Sequence, residues 1–329
     1  MKKWLIGLLA AVLLLGGCSP RQAPSQPGQN RLITVGFSQA GAESDWRVAY
    51  TESMRSSLNE DAGYELLFSN ARQQQDNQLK AIRTFIQQKV DYIVLAPVTE
   101  TGWDSVLKEA KQAGIPVIIV DRQVEVSDPS LYCSWVGSDF RGTADRAVEW
   151  LEQELVQQGR AESTVRILHL QGTIGSTAQL KRTAALESGV AQHKNWELAA
   201  QLQGDFTQAK AYEVTLAYLK QNSDVDVIYC ENDNMCFGVM QALDKMGMTY
   251  GTEGDVTLIS FDAVKRALEA CRLGKINLCV ECNPLHGPRV RAILDKLQAG
   301  KTPDKQEYVT ESLYTPDTLT EAFISSRKY

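Results

Sequence analysis

The sequence predicts an α/β protein of two lobes, each built on a parallel sheet covered by helices on both faces. Three observations carry this. Short runs that are apolar at every position recur along the body. Amphipathic stretches of helical period separate them. The rhythm pauses once, near Trp135, and then restarts. Continuous apolar strands, as opposed to alternating ones, are buried on both faces, and their alternation with helices makes parallel sheets.

In order, residues 32–37 (LITVGF) read as a strand and 46–59 as a helix. Residues 64–68 are strand-like and 76–88 helical. Residues 91–96 (DYIVLA) form a buried strand that Pro97 ends, and residues 103–113 a helix that Gly114 stops. Residues 116–120 (PVIIV) are a strand ending at Asp121. The second series begins with a helix at 143–158. Strands follow at 165–170, 198–202, 225–230 and 256–261, with helices at 179–193, 209–221 and 235–246. Residues 276–281 and 289–299 add a strand and a helix that need not stay in the second lobe.

The first thirty residues read as an address. Lys2 and Lys3 precede an apolar run at 4–15, too short to cross a hydrocarbon core of ~30 Å as a helix. It matches the apolar segment of a secretory signal. Leu15-Gly16-Gly17-Cys18 then has the spacing of a bacterial lipobox. Residues 1–17 are therefore expected to be removed, and Cys18 to carry a lipid that ties the protein to the outer face of the cell membrane. Residues 18–30, rich in Pro, Ser and Gln, have little to bury and are expected to be a flexible tether.

Composition excludes several classes. The 329 residues carry a formal net charge of -6 with no basic block, which argues against nucleic acid as a partner. Three histidines leave little for a metal site. Cys279 and Cys282 have CxxC spacing but fall on a strand, where their thiols point to opposite faces. No metal and no cofactor is expected: GxGxxG after a strand, GxxxxGK[ST] and GxSxG are all absent. Gly172-Thr-Ile-Gly175 opens a helix and could hold an anion, but a plain turn is the simpler reading. Six cysteines follow Cys18, an even number that permits disulfides outside the cell, although buried free thiols are the simpler reading.

In open parallel sheets, ligands bind beyond the carboxyl ends of the strands. The residues there are Glu43, Ser44, Asp45, Trp46 and Arg47 after the first strand, and Asp121 and Arg122 after the fourth. In the second series they are Arg182, Phe206, Asn232, Asp262 and Glu281. Taken singly, an Asp after a strand is often only a helix cap. Taken together, carboxylates, guanidiniums, an amide and aromatic rings suit a sugar. Carboxylates accept from hydroxyls, Arg and Asn donate to them, and rings cover C–H faces. Asp121 beside Arg122 suits a general acid poorly, so no catalytic residue is assigned and no enzyme is expected.

The segments FSQxGxExxWR (37–47), APVxxTGW (96–103), SLY (130–132) and SLYxPDT (312–318), with Val120-Asp121-Arg122 and Phe261-Asp262, resemble the ribose-type periplasmic sugar-binding proteins. They are most similar to the galactofuranose-binding proteins of bacterial ABC importers. The resemblance runs from Leu32 onward. It implies two Rossmann-like lobes joined by three crossovers, the type I periplasmic-binding-protein fold. One lobe would hold 31–137 and 282–311, the other 138–281 and 312–329. By position, Glu43, Ser44, Trp46, Arg47, Asp121 and Arg122 would line the first face. Arg182, Phe206, Asn232, Asp262 and Glu281 would line the second face and the hinge. Glu281 stands where ribose binders place an amide, and Asp45 where the furanose binders have a small residue. The implied partners are a monosaccharide and the permease subunits of an ABC importer, with the protein itself a monomer. A receptor feeding a sensor kinase or chemoreceptor, and an extracellular enzyme on the same architecture, are the alternatives.

Overall fold

A computed structural model of the chain describes residues 31–329. The signal, Cys18 and the tether lie outside the described residues. The chain begins with β1 (Ile33–Gln39), α1 (Asp45–Ser57), β2 (Tyr64–Asn70), α2 (Gln75–Gln88), β3 (Tyr92–Leu95), α3 (Asp104–Gln112), β4 (Val117–Val120) and β5 (Ser134–Ser138). It continues with α4 (Phe140–Gln157), β6 (Val165–Gln171), α5 (Thr177–Gln192), β7 (Trp196–Gln203), α6 (Gln208–Leu219), β8 (Val227–Cys230), α7 (Asp233–Met246), β9 (Thr257–Asp262), α8 (Lys265–Arg272) and β10 (Leu278–Glu281). It closes with α9 (Gly287–Gln298), β11 (Gln306–Val309), β12 (Leu313–Tyr314) and α10 (Glu321–Ser326).

The strands form two sheets, ordered β2-β1-β3-β4-β5-β11 and β7-β6-β8-β9-β10-β12. Pairing is parallel throughout except for β12, which runs antiparallel to β10. The chain passes between sheets three times: after β5, after β10 and after β11. In each sheet the winding direction reverses beside the first strand, at β1/β3 and at β6/β8. Those reversals open the crevices in which such sheets receive ligands.

Local chemistry explains the helix starts. Ser44, Asp139, Ser176 and Asn232 each accept a backbone N–H from the first turn that follows. The Asp139 cap starts α4 at Phe140, three residues before the apolar period of the sequence places it. Helices α6 and α7 pack with their backbones close, which is possible because α7 carries Gly238 at the contact. A Cβ there would overlap the carbonyl of Gln208 and crowd the Tyr212 amide. Gly238→Ala is therefore expected to destabilise the protein by about 1–3 kcal/mol, the usual cost of overpacking. Denaturant unfolding checks this: a midpoint equal to wild type contradicts the close approach.

Candidate functional site

The two lobes meet along their strand ends. The Asp45 N–H donates to Asn234 Oδ1 (3.1 Å), the Gln123 N–H to Thr177 Oγ1 (2.8 Å) and the Glu100 N–H to the Gly175 carbonyl (3.0 Å). The Thr173 hydroxyl donates to Gln73 Oε1 (2.9 Å). Between the lobes lies a cavity of about 300 Å³, walled by Glu43, Ser44, Trp46, Arg47, Asp121 and Arg122 from one side. Phe140, Ala178, Arg182, Phe206, Asn232, Asp262 and Cys282 complete it.

Arg47 organises the first wall. Its side chain is 5% exposed and held by two carboxylates. Nη1 donates to Asp121 Oδ2 (2.8 Å) and Nε to Glu43 Oε1 (3.2 Å). Burial alone would lower the Arg47 pKa, but Asp121 and Glu43 together raise it above its ordinary value. Its guanidinium lies over the Trp46 ring at 4.7 Å, and that ring stacks on Tyr50. The Trp46 indole N–H donates to the Cys282 carbonyl (2.6 Å), fixing the ring against a crossover strand. Arg122 donates to the Val98 carbonyl (2.8 Å) and lies over the Phe206 ring. Burial and the neighbouring Arg47 push its pKa down to about 10, so it remains a cation at neutral pH.

In the second wall, Arg182 lies over the rings of Phe261 (4.6 Å) and Phe140 (5.3 Å) and within 3.8 Å of Asp262. It donates to the Glu231 carbonyl. Glu231 is wholly buried, its carboxylate accepting from Gly172 N–H (2.7 Å) and Thr183 (2.9 Å) and facing His169 (3.0 Å). The Asn232 amide donates to the Phe206 carbonyl (3.3 Å) while its oxygen caps α7. Burial raises the Asp262 carboxyl well above the usual carboxylate range, opposed by Arg182 and reinforced by Asp233.

Three wall residues have left-handed backbones: Asp121 (φ 62°), Phe206 (φ 60°) and Asp262 (φ 107°). Such conformations cost a non-glycine residue of order 1–3 kcal/mol and persist only where surroundings enforce them. For Asp121, the surroundings are β5: its N–H donates to the Val136 carbonyl (2.9 Å) and its carbonyl accepts from the Trp135 indole (3.2 Å). The turn swings the carboxylate off the strand axis and onto Arg47.

Residues 35–286 match the family described as the periplasmic binding protein domain. The chain belongs to that family. The galactofuranose-binding protein YtfQ of Escherichia coli is 36% identical over 88% of this chain and 90% of its own length. Among solved structures, a Mycobacterium smegmatis protein in complex with β-D-fucofuranose is 38% identical with a TM-score of 0.82, covering 87% of this chain and 92% of its own. The binding component of an arabinose ABC transporter from Shewanella sp. ANA-3, bound to α- and β-L-arabinofuranose, is 36% identical with a TM-score of 0.82. It covers 90% of this chain and 95% of its own.

Within this binding protein, ten of the twelve cleft residues expected from the sequence line this interlobe cavity. Two do not. Glu281 faces away from it: its carboxylate accepts from Arg327 (2.8 Å), Tyr329 (2.8 Å), Tyr314 (3.1 Å) and the Ser312 N–H (3.0 Å). Strand side chains alternate, so the next residue, Cys282, faces the cavity in its place. Asp45 exposes its carboxylate on the first turn of α1 and reaches the other lobe only through its backbone. The sequence reading missed Phe140, Ala178 and Cys282. An Asp139 cap signal would have placed Phe140 at a helix start; Cys282 needed the parity of β10. The six described cysteines are all free, five of them buried.

Removing a buried charge from a pair costs about 3–5 kcal/mol because its partner is left uncompensated. Arg47→Met, which strands both Glu43 and Asp121, is expected to lose at least that much stability. Arg47→Lys, which keeps the cation but not the fork, should fall between. Thermal and denaturant unfolding of the two variants measures the order; equal stability of Arg47→Met and wild type contradicts it.

Proposed function

We propose that this protein is an extracytoplasmic receptor that encloses one neutral monosaccharide in its furanose form, of the galactofuranose type, and hands it unchanged to an ABC importer. One observation carries the reading. The cavity sets three carboxylates (Glu43, Asp121, Asp262) against three guanidiniums (Arg47, Arg122, Arg182), with aromatic rings from both lobes. Acids and guanidiniums lie side by side, Arg47 with Glu43 and Asp121 and Arg182 beside Asp262, which sets acceptors and donors for hydroxyls on the same wall. Glu43 Oε2 and Arg182 Nε are buried without a protein partner, one an acceptor and one a donor, as a ring of hydroxyls requires. The space between these walls is small, which suits one small ring better than a longer oligosaccharide. The ligands of the relatives above, all furanoses, support the ring form. Asp121, engaged by Arg47, serves as an acceptor for hydroxyls.

Calorimetry against D-galactose, D-fucose, L-arabinose and D-ribose tests the reading. A charge-assisted hydrogen bond contributes ~1.5–3 kcal/mol, and each ~1.4 kcal/mol is tenfold in affinity. Asp121→Ala is therefore expected to weaken binding at least tenfold, and Trp46→Ala to change the ranking of sugars. Near-wild-type affinity in folded Asp121→Ala removes the site. Mass spectrometry of the incubated sugar should find no product; time-dependent product, lost in Asp121→Ala, overturns the receptor reading.

The Leu15-Gly16-Gly17-Cys18 spacing supports a lipid on Cys18, which would hold the receptor on the membrane within diffusion range of an importer. Cys18→Ser is expected to move the protein from the membrane fraction to the soluble one. A lipidated Cys18→Ser protein that still sediments with membranes rejects the anchor.

A further inference from the structure

The three crossovers between lobes meet at a single side chain. Ser138 ends β5, Asn283 follows β10 and Glu311 follows β11. Glu311 Oε1 accepts both the Ser138 hydroxyl (2.6 Å) and the Asn283 N–H (2.8 Å). Its own carbonyl accepts from Arg146 of α4 (3.2 Å). Ser138 Oγ also lies 3.2 Å from the Cys282 thiol. One carboxylate thus joins all three strands about which the lobes must turn. Its second oxygen, Oε2, is buried with no partner.

We infer that Glu311 is the positioning residue of the hinge: it locks the three crossovers in the closed registry, and its protonation state sets the balance between closed and open lobes. The inference concerns how the proposed cleft closes and rests on that reading only for its biological use. An orphan buried carboxylate oxygen is tolerable when the group is neutral and costly when it is charged. Burial accordingly pushes the Glu311 carboxyl up to about 7, with Ser138 and Asn283 opposing. The charged and titratable groups facing it are Glu281 of β10, Cys282 beyond it, Arg146 of α4 and Arg182 of α5. Glu281 adds to the rise, Arg182 reduces it, and Glu281 is itself engaged by Arg327. Opening the lobes lets water reach Oε2 and returns the carboxyl toward its ordinary range near 4.3. A group that holds its proton more tightly when closed is protonated there at pH values where the open form has lost it. Acid therefore favours closure and alkali favours opening, by roughly tenfold in the closed-to-open ratio between pH 8 and pH 6.

Small-angle scattering of the sugar-free protein from pH 8 to pH 6 reads this directly. Wild type should contract as the pH falls. Glu311→Gln, permanently neutral, should hold the compact radius at both ends. Ser138→Ala removes a donor that favours the ionised form, so its contraction should begin at higher pH. A wild-type radius independent of pH, or an unchanged pH response in Glu311→Gln, overturns the inference. If Glu311→Gln does not fold, Ser138→Ala decides, and a transition at the wild-type pH overturns it. Since no sugar is present, failure of every sugar to bind would reject the proposed function while leaving this measurement valid.

Discussion

The buried Arg47 guanidinium is the constraint on which the cleft is built. An ion taken out of water loses several kcal/mol of solvation and is tolerated only with well-placed counter-charges. Here they are Glu43 and Asp121, and each is held where it is by backbone. Glu43 precedes the Ser44 cap of α1, one helical turn before Arg47. Asp121 is turned onto the guanidinium by a left-handed residue that β5 pins in place. The same carboxylates form the wall of the cavity. Neutralising Arg47 and presenting acceptors to a guest are therefore one arrangement.

The second lobe solves its equivalent problem with a deeper layer. Arg182 is supported by rings on two sides and by the Glu231 carbonyl, while the Glu231 carboxylate gathers Gly172, Thr183 and His169 beneath it. The Gly172 turn, read from the sequence as a plain turn, is held from below by that carboxylate.

Much of the fold was legible because its strands are buried on both faces and stand out as unbroken apolar runs. Strand 165–170 and helix 235–246 fall within a few residues of their observed bounds. The lining of the cavity was legible through topology, since ligand groups gather at the ends of parallel strands. Asp121, Arg122 and Asp262 were found that way. Legibility failed where one residue of parity decides direction. At the end of β10 the side chains alternate, so Glu281 turns to the tail and Cys282 to the cavity. It failed also where three remote segments converge: nothing local marks Ser138, Asn283 and Glu311 as neighbours, because their contact exists only once both sheets are complete.

The tail that encloses Glu281 bears on the order of synthesis. Neither lobe is continuous in sequence. The first sheet lacks its edge strand until residues 306–309 are available, and the second lacks β12 until 313–314. Arg327 and Tyr329, which cover the Glu281 carboxylate, come later still. Until they arrive, that carboxylate stays hydrated and the end of β10 remains uncovered. The hinge contacts of Ser138 and Asn283 likewise wait for Glu311, which follows β11. Both sheets are therefore completed only by residues near the end of the sequence, and neither lobe's edge can form from the first half of the chain alone.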